Sequence, residues 1–139
     1  MFELFEHEAD IGVRGKGSTL REAFEECAKA MFSVMVDLHG VEPKEEVGVR
    51  ARARNRSELL IEWLNVLLSE ASLREMFFSE FMAEISERNG ELVLAGKARG
   101  EKIDREKHSI DVEVKGATYS QLVAEKRGGE FVAQCVVDV

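Results

Sequence analysis

Residues 47–71, VGVRARARNRSELLIEWLNVLLSEA, change their hydrophobic period partway along, and that change decides the fold. From Val47 to Arg54 the apolar Val47, Val49, Ala51 and Ala53 alternate with Gly48, Arg50, Arg52 and Arg54. A period of two puts one face of a β-strand on a core and the other in water. Ser57 predicts the cap of a helix, and Leu60, Ile61, Trp63, Leu64, Leu67, Leu68 and Ala71 follow at helical spacing. Those side chains wrap most of the circumference, so the expected helix is a deeply buried one.

Toward the N-terminus, residues 2–7 and 11–15 read as short strands, and Gly15 with Gly17 predicts a turn into the first helix. Thr19 and Glu22 form a T-x-x-E capping box, in which side chain and backbone satisfy each other's free donors. Leu20, Ala23, Phe24, Cys27, Ala28, Met31, Met35 and Leu38 then give one buried stripe, which Gly40 and Pro43 close. Toward the C-terminus the pattern is β. Phe81, Ala83 and Ile85 alternate with charges, Asn89-Gly90 predicts a two-residue hairpin, and Leu92, Leu94 and Ala98 resume the alternation. A charged loop, 101–107, precedes an expected strand through Ile110, Val112 and Val114, and 118–126 with 131–139 predicts a last hairpin around Gly128-Gly129. The expected fold is α+β: two helices packed on a largely antiparallel β-sheet, in a single compact domain spanning 1–139.

The chain has 139 residues, enough to bury a core without staples, and its 45% hydrophobic share is ordinary for a globular domain. Its net charge of -8 disfavours non-specific binding to nucleic acid, because neutralising phosphates takes Lys and Arg. Arg50, Arg52, Arg54 and Arg56 could touch RNA, but a solvated strand face explains them better. Cys27 and Cys135 are far apart in sequence and read as small core hydrophobes, with nothing to suggest an oxidising compartment. No leader-like segment opens the chain, and the most apolar run, 59–68, is too short to span a bilayer, so a cytoplasmic protein with no membrane contact is expected.

The acidic residues at the two ends carry the functional signal. Val136-Val137-Asp138-Val139 reads as the end of a strand, so a terminal carboxylate beside Asp138 is expected at a defined place. Asp10 stands where a strand-like run meets Gly12; taken alone, it reads more simply as a turn aspartate. If the two ends meet, carboxylates converge, and like charges held that close need a proton or a cation. Hard oxygen ligands suit calcium or magnesium, not zinc. His7 is a candidate supporting residue three positions before Asp10. His108 is a second, of open role, and His39 reads as a helix-end or surface residue. No HExxH, paired Cys/His spacing, G-x-S-x-G or Walker-type loop is present; Arg14-Gly15-Lys16-Gly17-Ser18 is glycine-rich but lacks that spacing.

Taken in order, several segments resemble one family, archease. They are His7-x-Ala9-Asp10-Ile11-Gly12, Leu20-x-Glu22-Ala23-Phe24 and Leu60-x-x-Trp63-Leu64-x-x-Leu67-Leu68. Gly100-Glu101-Lys102-x-Asp104-x-x-x-His108, Lys115-x-x-Thr118-Tyr119 and Val137-Asp138-Val139 complete the set. The resemblance covers essentially the whole chain. It implies an accessory protein of the RtcB-type RNA ligase, not an enzyme: one that promotes guanylylation of the ligase, supports multiple turnover and broadens its NTP use in tRNA splicing. It further implies a divalent metal, typically calcium, held by Asp10, Asp138 and Val139; an indirect contact with tRNA halves is compatible with it, and direct contact with RNA is left open. The oligomeric state is left open. Two departures stand out: Ser120 occupies a position where the family often has His, and Glu8 one where Thr is common. Two other classes remain in view. One is a chaperone-like modulator of nucleic-acid-modifying enzymes, and the other a metal-dependent phosphohydrolase, which the lack of an obvious general base disfavours.

Overall fold

A computed structural model describes all residues, Met1–Val139. The change of period at 47–71 becomes strand β3 (Glu45–Ala53) followed by helix α2 (Arg56–Arg74). Asn55, not Ser57, caps that helix, its side chain accepting the Glu58 N–H at 2.9 Å. The chain leaves β3 at Ala53, so the turn into the helix comes two residues earlier than the serine implies.

Before this unit come β1 (Phe2–His7), β2 (Asp10–Gly17) and α1 (Leu20–Met35). Gly15 and Gly17 do not form a turn; both lie inside β2. A Cβ on Gly15 would stand 2.2 Å from the Cys27 backbone nitrogen and 2.3 Å from the Ala23 carbonyl oxygen. The glycine therefore lets the α1 backbone lie directly on the strand. At the cap, Thr19 Oγ1 accepts the Glu22 N–H as expected, but the Glu22 carboxylate reaches past Thr19 to the Ser18 N–H and hydroxyl, each at 2.9 Å. Helix α1 also stops short of the expected Gly40. Val36 is extended and bridges to Ile110, with Asp37 N–H donating to the Ser109 carbonyl and Asp111 N–H to that of Met35. Leu38 continues the apolar period from a separate 3-10 turn, Leu38–Gly40, and still packs on the core.

The remaining strands are β4 (Met76–Arg88), β5 (Glu91–Lys102), β6 (Gly116–Ala117), β7 (Val123–Arg127) and β8 (Glu130–Asp138). Both expected hairpins form, through Asn89-Gly90 and Gly128-Gly129. The expected strand at 110–114 does not: its residues alternate correctly but find no partner strand beyond the single Val36–Ile110 bridge. The expected strand at 118–126 forms only from Val123.

All pairing is antiparallel, in two sheets. The larger has the order β1-β2-β8-β6, with β7 also paired to β8; the smaller has the order β3-β5-β4. Helix α1 packs on the larger sheet and against β4, so its buried stripe joins the two sheets. Phe32 stacks on Phe78 and Phe81 at 5.5 and 5.3 Å, and the buried Trp63 indole of α2 donates to the Phe24 carbonyl at 3.0 Å. A cluster of 34 buried residues results, fully enclosing Trp63, Phe24, Phe32 and Phe78. The α+β class, with two helices on antiparallel sheet, is the observed one.

Candidate metal-binding tip

Strands β2 and β8 pair from Ile11↔Val137 to Gly17↔Phe131. Odd-numbered residues such as Val13 and Cys135 face α1 and are fully buried. Even-numbered residues take the opposite face, where Val132, Gln134 and Val136 are also buried and the Phe5 ring lies over Gly12 so closely that a Cβ there would meet it at 2.2 Å. One step beyond the last pair, the same register sets Asp10 directly across from Asp138. Directly opposed residues share a face with Cβ atoms about 5 Å apart. The row extends to both sides: His7 pairs with Asp10, and Gly116 with Asp138. Asp10 at the start of β2 and Asp138 at the end of β8 thus lie side by side at one end of the larger sheet, while Met1 lies at the other end, its ammonium donating to the Lys16 carbonyl at 3.1 Å.

Asp10 and Val139 are half-buried and Asp138 is exposed. Neither aspartate side chain enters an ion pair or hydrogen bond; outside its strand pairing Asp138 is hydrogen-bonded through its main-chain carbonyl alone, which accepts the Lys115 N–H at 2.8 Å. The turn between His7 and Asp10 holds Glu8 at φ 54°, in the left-handed region. Nowhere in the chain do three or more His, Cys, Asp or Glu side chains gather closely enough to hold a metal ion. The oxygens available at this tip are the two free carboxylates and the main-chain oxygens of Val139. That set fits a hard cation completing its shell with water or a partner's oxygens, and it does not fit a closed zinc site. His7 neighbours the pair in the ladder without forming a ligating triad.

His108 lies elsewhere, in a buried polar cluster. Its Nδ1 accepts the Asp104 N–H at 2.9 Å, which leaves the proton on Nε2 facing the Glu101 carboxylate at 3.1 Å. Glu101 belongs to β5, not to a loop, and is buried. Its carboxylate also accepts the Lys107 ammonium and the Glu42 N–H, at 2.9 and 2.7 Å. The Lys107 hydrogen bond, then that of the Glu42 amide, holds the Glu101 carboxyl down to about 2. This cluster pins the 103–108 loop to the end of β5. Sequence reading missed it because Glu42, Lys107 and His108 meet Glu101 only in the folded chain.

His39 is fully exposed beside Asp37. Arg50, Arg52 and Arg54 lie on the solvated side of an edge strand or just beyond it. Cys27 and Cys135 are both buried free thiols, and burial pushes Cys135 up to about 12 and Cys27 well above its usual range. Beside β8, Tyr119 is 65% exposed, and the neighbouring Ser120 is exposed with its carbonyl accepting the Val136 N–H at 3.0 Å. No helix is long and apolar enough to cross a membrane.

Comparison with known proteins adds three findings. The archease protein family model matches residues 2–139. "Protein archease" of Sulfurisphaera tokodaii is 44% identical over 99% of this chain and 98% of its own length, and that of Pyrococcus furiosus 40% identical over the same shares. The solution structure of Methanobacterium thermoautotrophicum protein 1598 superposes with a TM-score of 0.88 at 36% identity, covering 99% of this chain and 98% of that one.

Proposed function

This chain belongs to the archease family, and we propose that it is a non-enzymatic accessory protein that activates an RtcB-type RNA ligase of tRNA splicing. In this reading the acidic tip docks at the ligase and promotes guanylylation of its active-site histidine, sustaining repeated turnover and widening its choice of nucleotide triphosphate. The observation that carries the proposal is the ladder register that opposes Asp10 to Asp138 while leaving both carboxylates free of protein partners. Two such charges at one end of the sheet repel each other and favour a cation. Asp10, Asp138 and the Val139 main chain would hold a divalent ion, calcium before magnesium. Such an ion supplies positive charge for phosphate oxygens or for a ligase carboxylate. The chain's own contribution is positional: strands β2 and β8 fix the carboxylates, so a ligase state that completes the shell is bound preferentially, and only such differential affinity can shift its equilibrium.

The test is a guanylylation assay of the cognate RtcB-type ligase with this protein, its Asp10→Ala and Asp138→Ala variants, and chelator. The expected result is a loss of stimulation of tenfold or more in either variant and with chelator, at unchanged thermal midpoint. Full stimulation by both variants would sink the proposal. A second reading, a chaperone-like modulator, draws on the exposed apolar side chains Ile110 and Val112. It predicts stimulation indifferent to Asp10, Asp138 and chelator, so the same assay separates the two.

A further inference from the structure

The run 111–114, Asp-Val-Glu-Val, alternates like a strand yet belongs to none. It is tethered at both ends: Asp111 N–H donates to the Met35 carbonyl at 2.8 Å, and Lys115 N–H to the Asp138 carbonyl at 2.8 Å. Between these tethers the main-chain groups of Val112, Glu113 and Val114 take no partner within the chain. An extended segment with unpaired N–H and C=O groups is a template for one more strand.

The same run forms one wall of a cavity of about 480 Å³, whose apolar lining includes Phe32, Met35, Leu68, Met76 and Phe77. That volume lies within the range of specific ligand pockets and holds one or two bulky side chains. Around it stand the carboxylates of Glu75, Asp111 and Glu113 against a single cation, Arg105, and none of the four is engaged in an ion pair. Ile110 and Val112, on the same wall, remain 39% and 42% exposed. Through Lys115 and Gly116 this wall continues directly into Asp138 of the acidic tip.

We propose that segment 111–114 is a docking edge for an extended segment of a protein partner. The partner strand pairs with the free main chain of Val112–Val114, buries a large apolar side chain in the cavity, and sets Lys or Arg against Asp111, Glu113 and Glu75. The charge decides the class of occupant. Three carboxylates to one guanidinium repel nucleic acid and attract a basic, apolar polypeptide. This inference rests on the proposed function, in which the partner is the RNA ligase. It adds that the ligase is held here, by groups distinct from the neighbouring Asp10–Asp138 pair that activates it.

The experiment measures binding of the cognate RtcB-type ligase to wild type, Val112→Asp and Glu113→Lys, with hydrogen exchange on the free chain and the complex. Both substitutions alter exposed side chains, so thermal midpoints should stay at the wild-type value. The expected result is at least tenfold weaker binding in each variant, with guanylylation restored when the variant is saturating. In the wild-type complex, amides 112–114 should exchange at least tenfold more slowly than in the free chain. Wild-type affinity in both variants, or unchanged exchange at 112–114 in the complex, overturns the docking edge and leaves the proposed function standing. A wild-type protein that neither binds nor stimulates the ligase removes the proposed function and the docking edge together.

Discussion

Glu101 and the aspartate pair show opposite uses of carboxylate charge. Glu101 is buried and surrounded by donors, whereas Asp10 and Asp138 stand at an edge with none. The Glu101 carboxyl, held at about 2 when folded against an ordinary 4.5, is depressed by folding. A depressed carboxyl stabilises the fold fully above the unfolded value and loses that contribution as pH falls through the folded one. Glu101→Gln should therefore melt several degrees below wild type near neutral pH, with the gap closing between about pH 4.5 and about pH 2. Thermal melts across that range check this; a gap constant with pH would show that the cluster acts by packing and not by charge. The aspartates were legible in the sequence because each stands where a strand meets a chain end or turn. Glu101 was not, because its neighbours Lys102, Asp104 and Lys107 make the segment read as a charged loop. Nothing local in the sequence distinguishes Lys107, which bonds Glu101 in the fold, from Lys102, which caps the Arg74 carbonyl instead.

At the level of elements, local signals were reliable wherever the physics is local. Asn89, Gly90 and Gly128 supply the positive φ that tight turns need, and the buried stripes of α1 and α2 follow from spacing alone. Errors arose where a distant partner decides the outcome. Val36 leaves the helix because Ile110 bridges to it, and 111–114 lacks a strand because no edge lies alongside. The N-terminus of α2 is an intermediate case: Asn55 and Ser57 are both good caps, and the exit of β3 at Ala53 chooses between them. Asn55→Ala should accordingly cost about 1 kcal/mol, and Ser57→Ala a few tenths at most. Denaturant unfolding of the two variants measures both; a larger loss at Ser57 would contradict the observed cap.

Across the whole molecule, the fold's chief achievement is closure: β2 and β8 bring together residues such as Arg14 and Gln134, 120 positions apart in sequence. Sequence alone supplied a motive for that closure, the acidic residues at both ends, but not the register that makes Asp10 and Asp138 direct neighbours. The register follows from packing Val13, Cys135 and Val137 on the face that meets α1, since a slip of one residue would move that whole apolar set to the other face of the sheet. Closure also gathers negative charge. The tip and the mouth of the neighbouring cavity contribute Asp10, Asp138, Asp111, Glu113 and Glu75 within a chain of net charge -8. Such a field speeds encounter with a basic partner and is screened by salt, while short-range pairing and apolar burial govern departure. The association rate with the ligase should therefore fall by about tenfold between roughly 50 mM and 500 mM salt, with a smaller change in dissociation. Glu113→Lys should lower the rate at low salt and flatten its slope, whereas Val112→Asp should raise dissociation and leave a steep slope. Stopped-flow or surface-binding kinetics across that range resolve the two effects. An association rate indifferent to salt in the wild type would mean that the acidic end of the molecule plays no part in finding its partner.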